Sequence, residues 1–379
     1  MSDMNGADSS EPRGAGPRRD SSSRTANLRV VTVFAGFALT ALFIYLMVIA
    51  EAILLPFAIA VFFVILLDSL SERICRIKIG GYSLPGWVGM TLAVLILILA
   101  FVALANLIRS NIAAVSAALP GYEENFKGYL DRILALVGAQ ELPSIRDLAN
   151  QIDMRNTLGS MVSALASATG NTMTVIFYIV FILLEQVTFG RKVDALFKKS
   201  EDSRRAKEMI ARIANDIQKY IGLKTFVSAI TGTLSYIVMS LVGVDFAAFW
   251  AVLIFILNFI PYIGSLVGVA FPAVLTLVQF GTPIPFLVTT IVLASVQLAV
   301  GNVIEPRLMG RSLNLSPLVI LLSLAVFGQI WGVAGMVLSM PFMVIAMIVC
   351  AGFEATRPIA VLLSASGNID GTGETSEKR

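Results

Sequence analysis

Phe246–Phe280 reads FAAFWAVLIFILNFIPYIGSLVGVAFPAVLTLVQF, an apolar run broken near its middle by NFIPYIGSLVG (Asn258–Gly268). As one straight helix it would extend roughly 50 Å at about 1.5 Å per residue, against a bilayer hydrocarbon core of about 30 Å. It therefore reads as two legs folded back on each other. Pro261 disfavours helix in the residue before it and brings no N–H, while Gly264 and Gly268 permit a turn and close backbone contact. A second apolar run, Leu315–Ala351, carries a comparable cluster, FGQIWGVAG (Phe327–Gly335), in which Gly328, Gly332 and Gly335 can do the same. Broken backbone at membrane depth persists only where protein or a water-filled cavity satisfies it. Two such interruptions in corresponding places point to a transporter's binding site.

Composition agrees with this reading. Of 379 residues, 57% are hydrophobic and 14% charged, with a mean hydropathy of +0.83, so the chain reads as an all-α polytopic protein whose main partner is the lipid bilayer. The net charge of +3 comes from basic residues flanking the spans, which is a topology signal rather than a nucleic-acid surface. Histidine is absent, so any proton coupling must use a carboxylate rather than imidazole. Cys75 and Cys350 have no CxxC partner and read as reduced structural thiols. With no phosphate loop, nucleophile elbow or HExxH pair, neither an enzyme nor ATP-driven transport is indicated, and no cofactor or metal is implied.

In chain order, residues 1–27 read as a disordered cytoplasmic tail, followed by three spans within 28–108: Leu28–Ala50, Ile53–Leu67 as its tight return, and about Trp87–Ile108. Residues 109–168 read as extracytoplasmic amphipathic helices, with Tyr122, Phe126, Leu130, Ile133 and Val137, and again Ile145 to Leu165, at three- and four-residue spacing. Residues 169–221 hold a fourth span, about Thr172–Phe189, and a basic cytoplasmic loop, within a positive excess running from Arg191 to Lys224. Residues 222–352 read as a transport core. There a fifth span, Gly222–Val242, precedes a hairpin entering from outside, and a sixth, Phe286–Val303, precedes one entering from inside. The expectation is six full spans plus two oppositely oriented broken helical hairpins, an inverted repeat with both termini cytoplasmic. Residues 353–379 read as a polar cytoplasmic tail.

Polar residues inside apolar membrane segments are functional candidates, since each must face a partner or water. Asn258, Pro261, Tyr262, Gly264 and Ser265 mark the first break. Gln297, Asn302 and Glu305 lie on the span between the hairpins, and Gln329 and Gly332 at the second break. Asn258, Ser265 and Gln329 either contact a ligand or satisfy unwound backbone. Asn302 and Glu305 share a face while the helix persists. For Glu305, an ion pair with Arg307 or Arg311 is favoured over a proton-coupling role. Glu185 and Asp68 read as interfacial, Glu51 and Asp245 as turn residues.

YIGLKTFVSAITGTLSYIVMSLVGVDFAAFWAVLIFILNFIPYIGSLVG (Tyr220–Gly268), the segment from GNVIEPRLMGR (Gly301–Arg311) through SMP (Ser339–Pro341), and the N-terminal span pair resemble the AI-2E family, the autoinducer-2 exporters and their permease-like relatives. The likeness covers most of the chain and is most specific at Asn258–Gly264 and Asn302–Gly310, with Pro306, Arg307, Gly310 and Arg311 as motif residues. The resemblance implies a bacterial inner-membrane transporter of a small polar substrate. It also implies elevator-like use of the hairpins in a homo-oligomer such as a pentamer, and some relatives are sodium(lithium)/proton antiporters. Tyr262 stands where exporter-like members often have asparagine. Three readings follow: an exporter of a small polar molecule, a cation/proton antiporter, and a non-transporting membrane scaffold.

Overall fold

The computed structural model describes residues 34, 36, 38–76, 78–79, 82–137, 172–197, 200–309 and 314–368. The expected tail at 1–27, the amphipathic stretch from Ile145 to Leu165, Gly310, Arg311 and the residues from 369 onward lie outside them. Contacts divide the chain after Glu51. The first unit contributes one apolar helix, α1 (Ala38–Ile49). In the second, α2 (Glu51–Cys75) is joined to α3 (Gly86–Val137) through a two-residue antiparallel ladder, β1 (Lys78–Ile79) with β2 (Tyr82–Ser83). There follow α4 (Thr172–Leu196), α5 (Ser200–Val242), α6 (Ala247–Leu257), α7 (Ile263–Phe280), α8 (Pro283–Ala299), a π-helical turn (Val300–Ile304), α9 (Glu305–Met309), α10 (Pro317–Ala351) and α11 (Arg357–Leu363). Among the described residues seven helices are long and apolar enough to cross a membrane, so the all-α polytopic class holds.

Several boundaries differ from the sequence reading. The third span and the first amphipathic segment are one helix of 52 residues, roughly 78 Å long. Pro120 removes one hydrogen bond without ending it, because each further turn adds bonds once the helix is nucleated. The basic loop expected before residue 221 is mostly helical: α4 runs to Leu196 and α5 starts at Ser200. Exposed i,i+4 pairs support its first turns, Arg205 with Glu201 at 3.1 Å and Arg204 with Glu208 at 3.0 Å. The segment after Phe353 is not simply tail. Helix α11 is pinned to the start of α10, with the Ser316 N–H donating to Leu363 O (2.9 Å) and the Ala365 N–H to Asn314 O (2.8 Å).

Both interrupted runs fold back. The rings of Trp250 in α6 and Phe271 in α7 stack with centroids 6.3 Å apart, where a continuous helix would separate those positions by roughly 30 Å. In α10 the rings of Phe327 and Phe342 stack at 5.2 Å, against about 22 Å along a straight helix. The second reversal is shorter, because only Trp331 (φ −128°, ψ 19°) and Gly332 (φ 59°, ψ −143°) leave helical geometry. In each hairpin a glycine lies on the last carbonyls of the preceding leg. A Cβ on Gly264 would sit 1.8 Å from Leu257 O, and one on Gly335 2.0 Å from Phe327 O. Gly332, singled out from sequence beside Gly264, serves differently. A Cβ there would meet nothing within 4 Å, and its positive φ makes the turn.

Helix α5 lies against both hairpins. Its C-terminal half shares a cluster with the first, Met239 with Trp250 and Ile254 of α6, Leu275 and Val278 of α7, and Leu293 of α8. Its N-terminal half shares another with the second, Ile217, Tyr220 and Ile221 with Leu315 and, in the returning leg of α10, Met340, Val344 and Ile348. Gly264→Ala and Gly335→Ala should each cost on the order of 1–3 kcal/mol by forcing backbone apart. That predicts a melting point lowered by several degrees in detergent, whereas Gly301→Ala, with open space around its Cβ, should not lower it. Unchanged melting in both hairpin variants would show that the legs do not touch there.

Candidate functional site

At the first tip, Asn258–Tyr262, the N–H groups of Asn258, Phe259 and Ile260 bond locally. Asn258 N–H donates to Ile254 O (2.9 Å), Phe259 to Ile256 O (3.2 Å), Ile260 to Leu257 O (2.8 Å) and Gly264 to Ile260 O (3.0 Å). The Ile263 N–H donates to Pro261 O at 2.7 Å, closing a γ-turn centred on Tyr262, whose φ of 62° and ψ of −52° lie in a rare, strained region for an L-residue. The Ser265 hydroxyl donates to Tyr262 O at 2.9 Å, so Ser265 satisfies the break. Asn258 instead reaches across, its Nδ2 donating to Ser228 Oγ of α5 at 3.0 Å. The carbonyls of Asn258 and Phe259 and the Asn258 side-chain oxygen accept no hydrogen bond among the described residues.

Helix α5 presents a buried polar face to this tip. Lys224, Ser228, Thr231 and Ser235 recur at four-, three- and four-residue spacing, all buried, and Thr231 returns its hydroxyl to Val227 O at 3.0 Å. Lys224 is 4% exposed, and its Nζ lies 2.6 Å from Glu305 Oε1. The partner expected for Glu305 from sequence, Arg307 or Arg311, is thus replaced. Arg307 is exposed, as is Pro306, and Gly310 and Arg311 lie outside the described residues. A buried ammonium is costly unless paired, and Glu305 is the carboxylate close enough to compensate it. In the sequence Lys224 reads as one more orientation charge. Its position four residues into the apolar stretch that begins at Tyr220, in helical step with Ser228, is the signal that sets it apart.

The remaining candidates divide. Gln297 is buried, with its Nε2 3.4 Å from where a Cβ on Gly268 would lie, where α8 crosses α7. Asn302 sits in the π-helical turn and is exposed, so the shared face expected with Glu305 does not follow ordinary helical geometry. Gln329 is exposed one turn before the second reversal, and Gly332 shapes that reversal. Pro261, Tyr262 and Gly264 build the first tip. Another group missed from sequence ties the distal part of α3 to the first hairpin. The Tyr122 hydroxyl donates to Asp245 Oδ2 (2.7 Å), the Asp245 N–H to Gln279 Oε1 (2.9 Å) and Asn125 Nδ2 to Gln279 O (3.0 Å). Burial first, then the hydrogen bond to Asp245 and its charge, push the Tyr122 hydroxyl's pKa well above its usual value, so it remains a donor.

The γ-turn makes its own prediction. Glycine adopts positive φ freely, so Tyr262→Gly should relieve strain on the order of 1–3 kcal/mol and raise the melting point in detergent. A lowered melting point would instead show that the Tyr262 side chain, not its backbone, matters there.

The sequence profile of AI-2E family transporters matches residues 37–353. The AI-2 transport protein TqsA of Escherichia coli (strain K12) is 31% identical over 324 residues, covering 83% of this chain and 90% of that protein. A transport protein of Haemophilus influenzae is 27% identical over 344 residues, covering 89% of this chain and 97% of that one. One from Borreliella burgdorferi is 34% identical over 210 residues, 55% of this chain and 58% of that protein. The apolar helices and this profile agree that the chain is a multi-pass membrane protein belonging to the AI-2E family of transporters.

Proposed function

We propose that this chain is a secondary transporter of the bacterial inner membrane that exports a small polar molecule, autoinducer-2 being the first substrate to test, through an elevator-like movement of its hairpins. The observation that carries the reading is the pair of folded-back helices whose turns, at Asn258–Tyr262 and Trp331–Gly332, leave ordinary helical geometry inside an apolar protein. The name of TqsA supports the substrate class, since that relative is an AI-2 transport protein. Free carbonyls at the first tip, the side chains of Asn258, Gln297 and Glu305, and Asn302 on the exposed π-helical turn supply polar groups for a hydroxyl-rich ligand. Both termini are cytoplasmic in this reading, by the arginines before the first span and the basic stretch around 191–224. The protein works as a homo-oligomer, a pentamer by family resemblance. A cation/proton antiporter is the second reading, favoured by the one feature an exporter does not require, a carboxylate, Glu305, paired inside the core.

The experiment is flux in proteoliposomes of purified protein, with autoinducer-2 and sodium tested separately, each with and without a proton gradient. An exporter should move autoinducer-2 and leave sodium where it is. Sodium movement that drives protons the other way would favour antiport, and movement of neither would refute transport of these substrates. Orientation is checked in a background lacking Cys75 and Cys350. An impermeant thiol reagent added outside intact cells should label Glu124→Cys and spare Glu201→Cys, both exposed positions, and the reverse pattern would invert the topology.

The hydrogen bonds from Tyr122 and Asn125 to Asp245 and Gln279 favour a distal part of α3 that travels with the first hairpin on the moving side. A cross-linked Asn125→Cys/Gln279→Cys protein should keep at least half the flux of its reduced form. Loss of flux on cross-linking, restored by reduction, would put α3 in the static frame instead.

A further inference from the structure

We propose that Glu305 is a ligand contact of the transport site and that Lys224 is its positioning residue, a role resting on the transport reading above. The two members of the pair differ in access: Lys224 is 4% exposed, whereas the Glu305 side chain is 23% exposed. The ammonium holds Oε1 at 2.6 Å, and Oε2 has no partner among the described residues, so the sealed cation fixes one carboxylate edge and leaves the other open. A pair serving stability alone gains from being closed on both sides and from satisfying its remaining lone pairs. Arg307, two residues away and exposed, does not take that edge.

Three neighbours make the open edge part of a site. Ser228, one turn from Lys224 on the same face of α5, accepts the hydrogen bond from Asn258, so the hairpin tip and Glu305 attach to α5 within about 6 Å of each other. The Asn258 side-chain oxygen and the open Glu305 oxygen are both acceptors without partners among the described residues. Tyr220, one turn to the other side of Lys224, is buried with its hydroxyl unpartnered among the described residues. Immediately before Glu305 the chain makes the π-helical turn Val300–Ile304, a widening that recurs at functional sites because it re-aims the residues that follow. Two acceptors with spare capacity, on residues that are not fully buried, select a ligand that donates, a hydroxylated molecule or a cation, and the flux arms for autoinducer-2 and sodium separate these.

Lys224→Met and Glu305→Gln each leave an unpaired buried group and should lower the melting point and the assembled yield. The combined Lys224→Met/Glu305→Gln protein should recover both, yet carry whichever probe the wild type moves at least tenfold more slowly. Lys224→Arg, which keeps the charge and the pairing, should recover at least a third of the wild-type rate. The proposal is overturned if the neutral pair transports within threefold of wild type, or if folded Lys224→Arg is as slow as the neutral pair. Should the neutral pair not assemble, Glu305→Asp decides, since it keeps the charge and withdraws the carboxylate by one methylene. A KM raised at least fivefold with kcat within twofold supports ligand contact, and an unchanged KM in folded protein refutes it. Wild-type protein that moves neither probe refutes transport of these substrates and this role together, whereas wild-type flux matched by the neutral pair refutes this role alone.

Discussion

Backbone polar groups have no water to bond in the middle of a bilayer, and the two interrupted helices of this fold are subject to that constraint. A helix satisfies itself; an interrupted helix does not. At the first break the chain closes its N–H groups through short local bonds, down to the γ-turn between Pro261 and Ile263, and leaves carbonyls and the Asn258 side chain as the groups with capacity to spare. Helix α5 receives that side chain on Ser228 and, one turn away, anchors Glu305 on Lys224. One helix face thus meets a hairpin tip and the segment after the π-helical turn, while its apolar neighbours Ile217 and Ile221 pack against the second hairpin.

The two hairpins reach the same end with unequal means. Each brings its legs into backbone contact through a glycine, Gly264 on Leu257 O and Gly335 on Phe327 O, since any Cβ would hold the legs apart. The first needs five residues of turn and a tyrosine at positive φ; the second turns at Trp331 and Gly332. Aromatic stacking spans both, Trp250 on Phe271 and Phe327 on Phe342. A strained residue persists only when its surroundings over-determine it. Tyr262 is held by Ser265 on its carbonyl and by the Gly264 contact immediately after it. The strain sits at the accessible end of the tip, where Tyr262 is 57% exposed.

Charge is sorted as strictly as backbone. The pairs at the start of α5, such as Arg205 with Glu201, lie exposed and contribute little each. Lys224 with Glu305 is the pair taken furthest out of water among the described residues, and a buried pair is weak evidence for stability because desolvation offsets the attraction. Its place in the core accords with the ligand contact proposed for the open carboxylate edge. At the far end of α5 the Tyr122, Asp245 and Gln279 bonds fasten the long α3 helix to the first hairpin.

Hydropathy, run length and the Pro/Gly clusters were enough to determine by sequence alone that this is an all-helical, many-span membrane protein with two interrupted runs, because apolar length against bilayer thickness is a local property of the chain. The break at Pro261 was legible for the same reason: proline and glycine act on their own backbone. Whether a glycine serves a turn or a close approach was not, since Gly332 and Gly335 differ only in what lies across from them. Helix ends were misjudged where no breaker marks them, as in α3 and at the start of α5, and α11 was missed because its seven residues are held by contacts to α10 rather than by their own pattern. The partner of Glu305 was assigned to a sequence neighbour, Arg307 or Arg311, when it lies on another helix. Pairing across helices depends on which faces meet, and only the packing of α5 against the hairpins decided that.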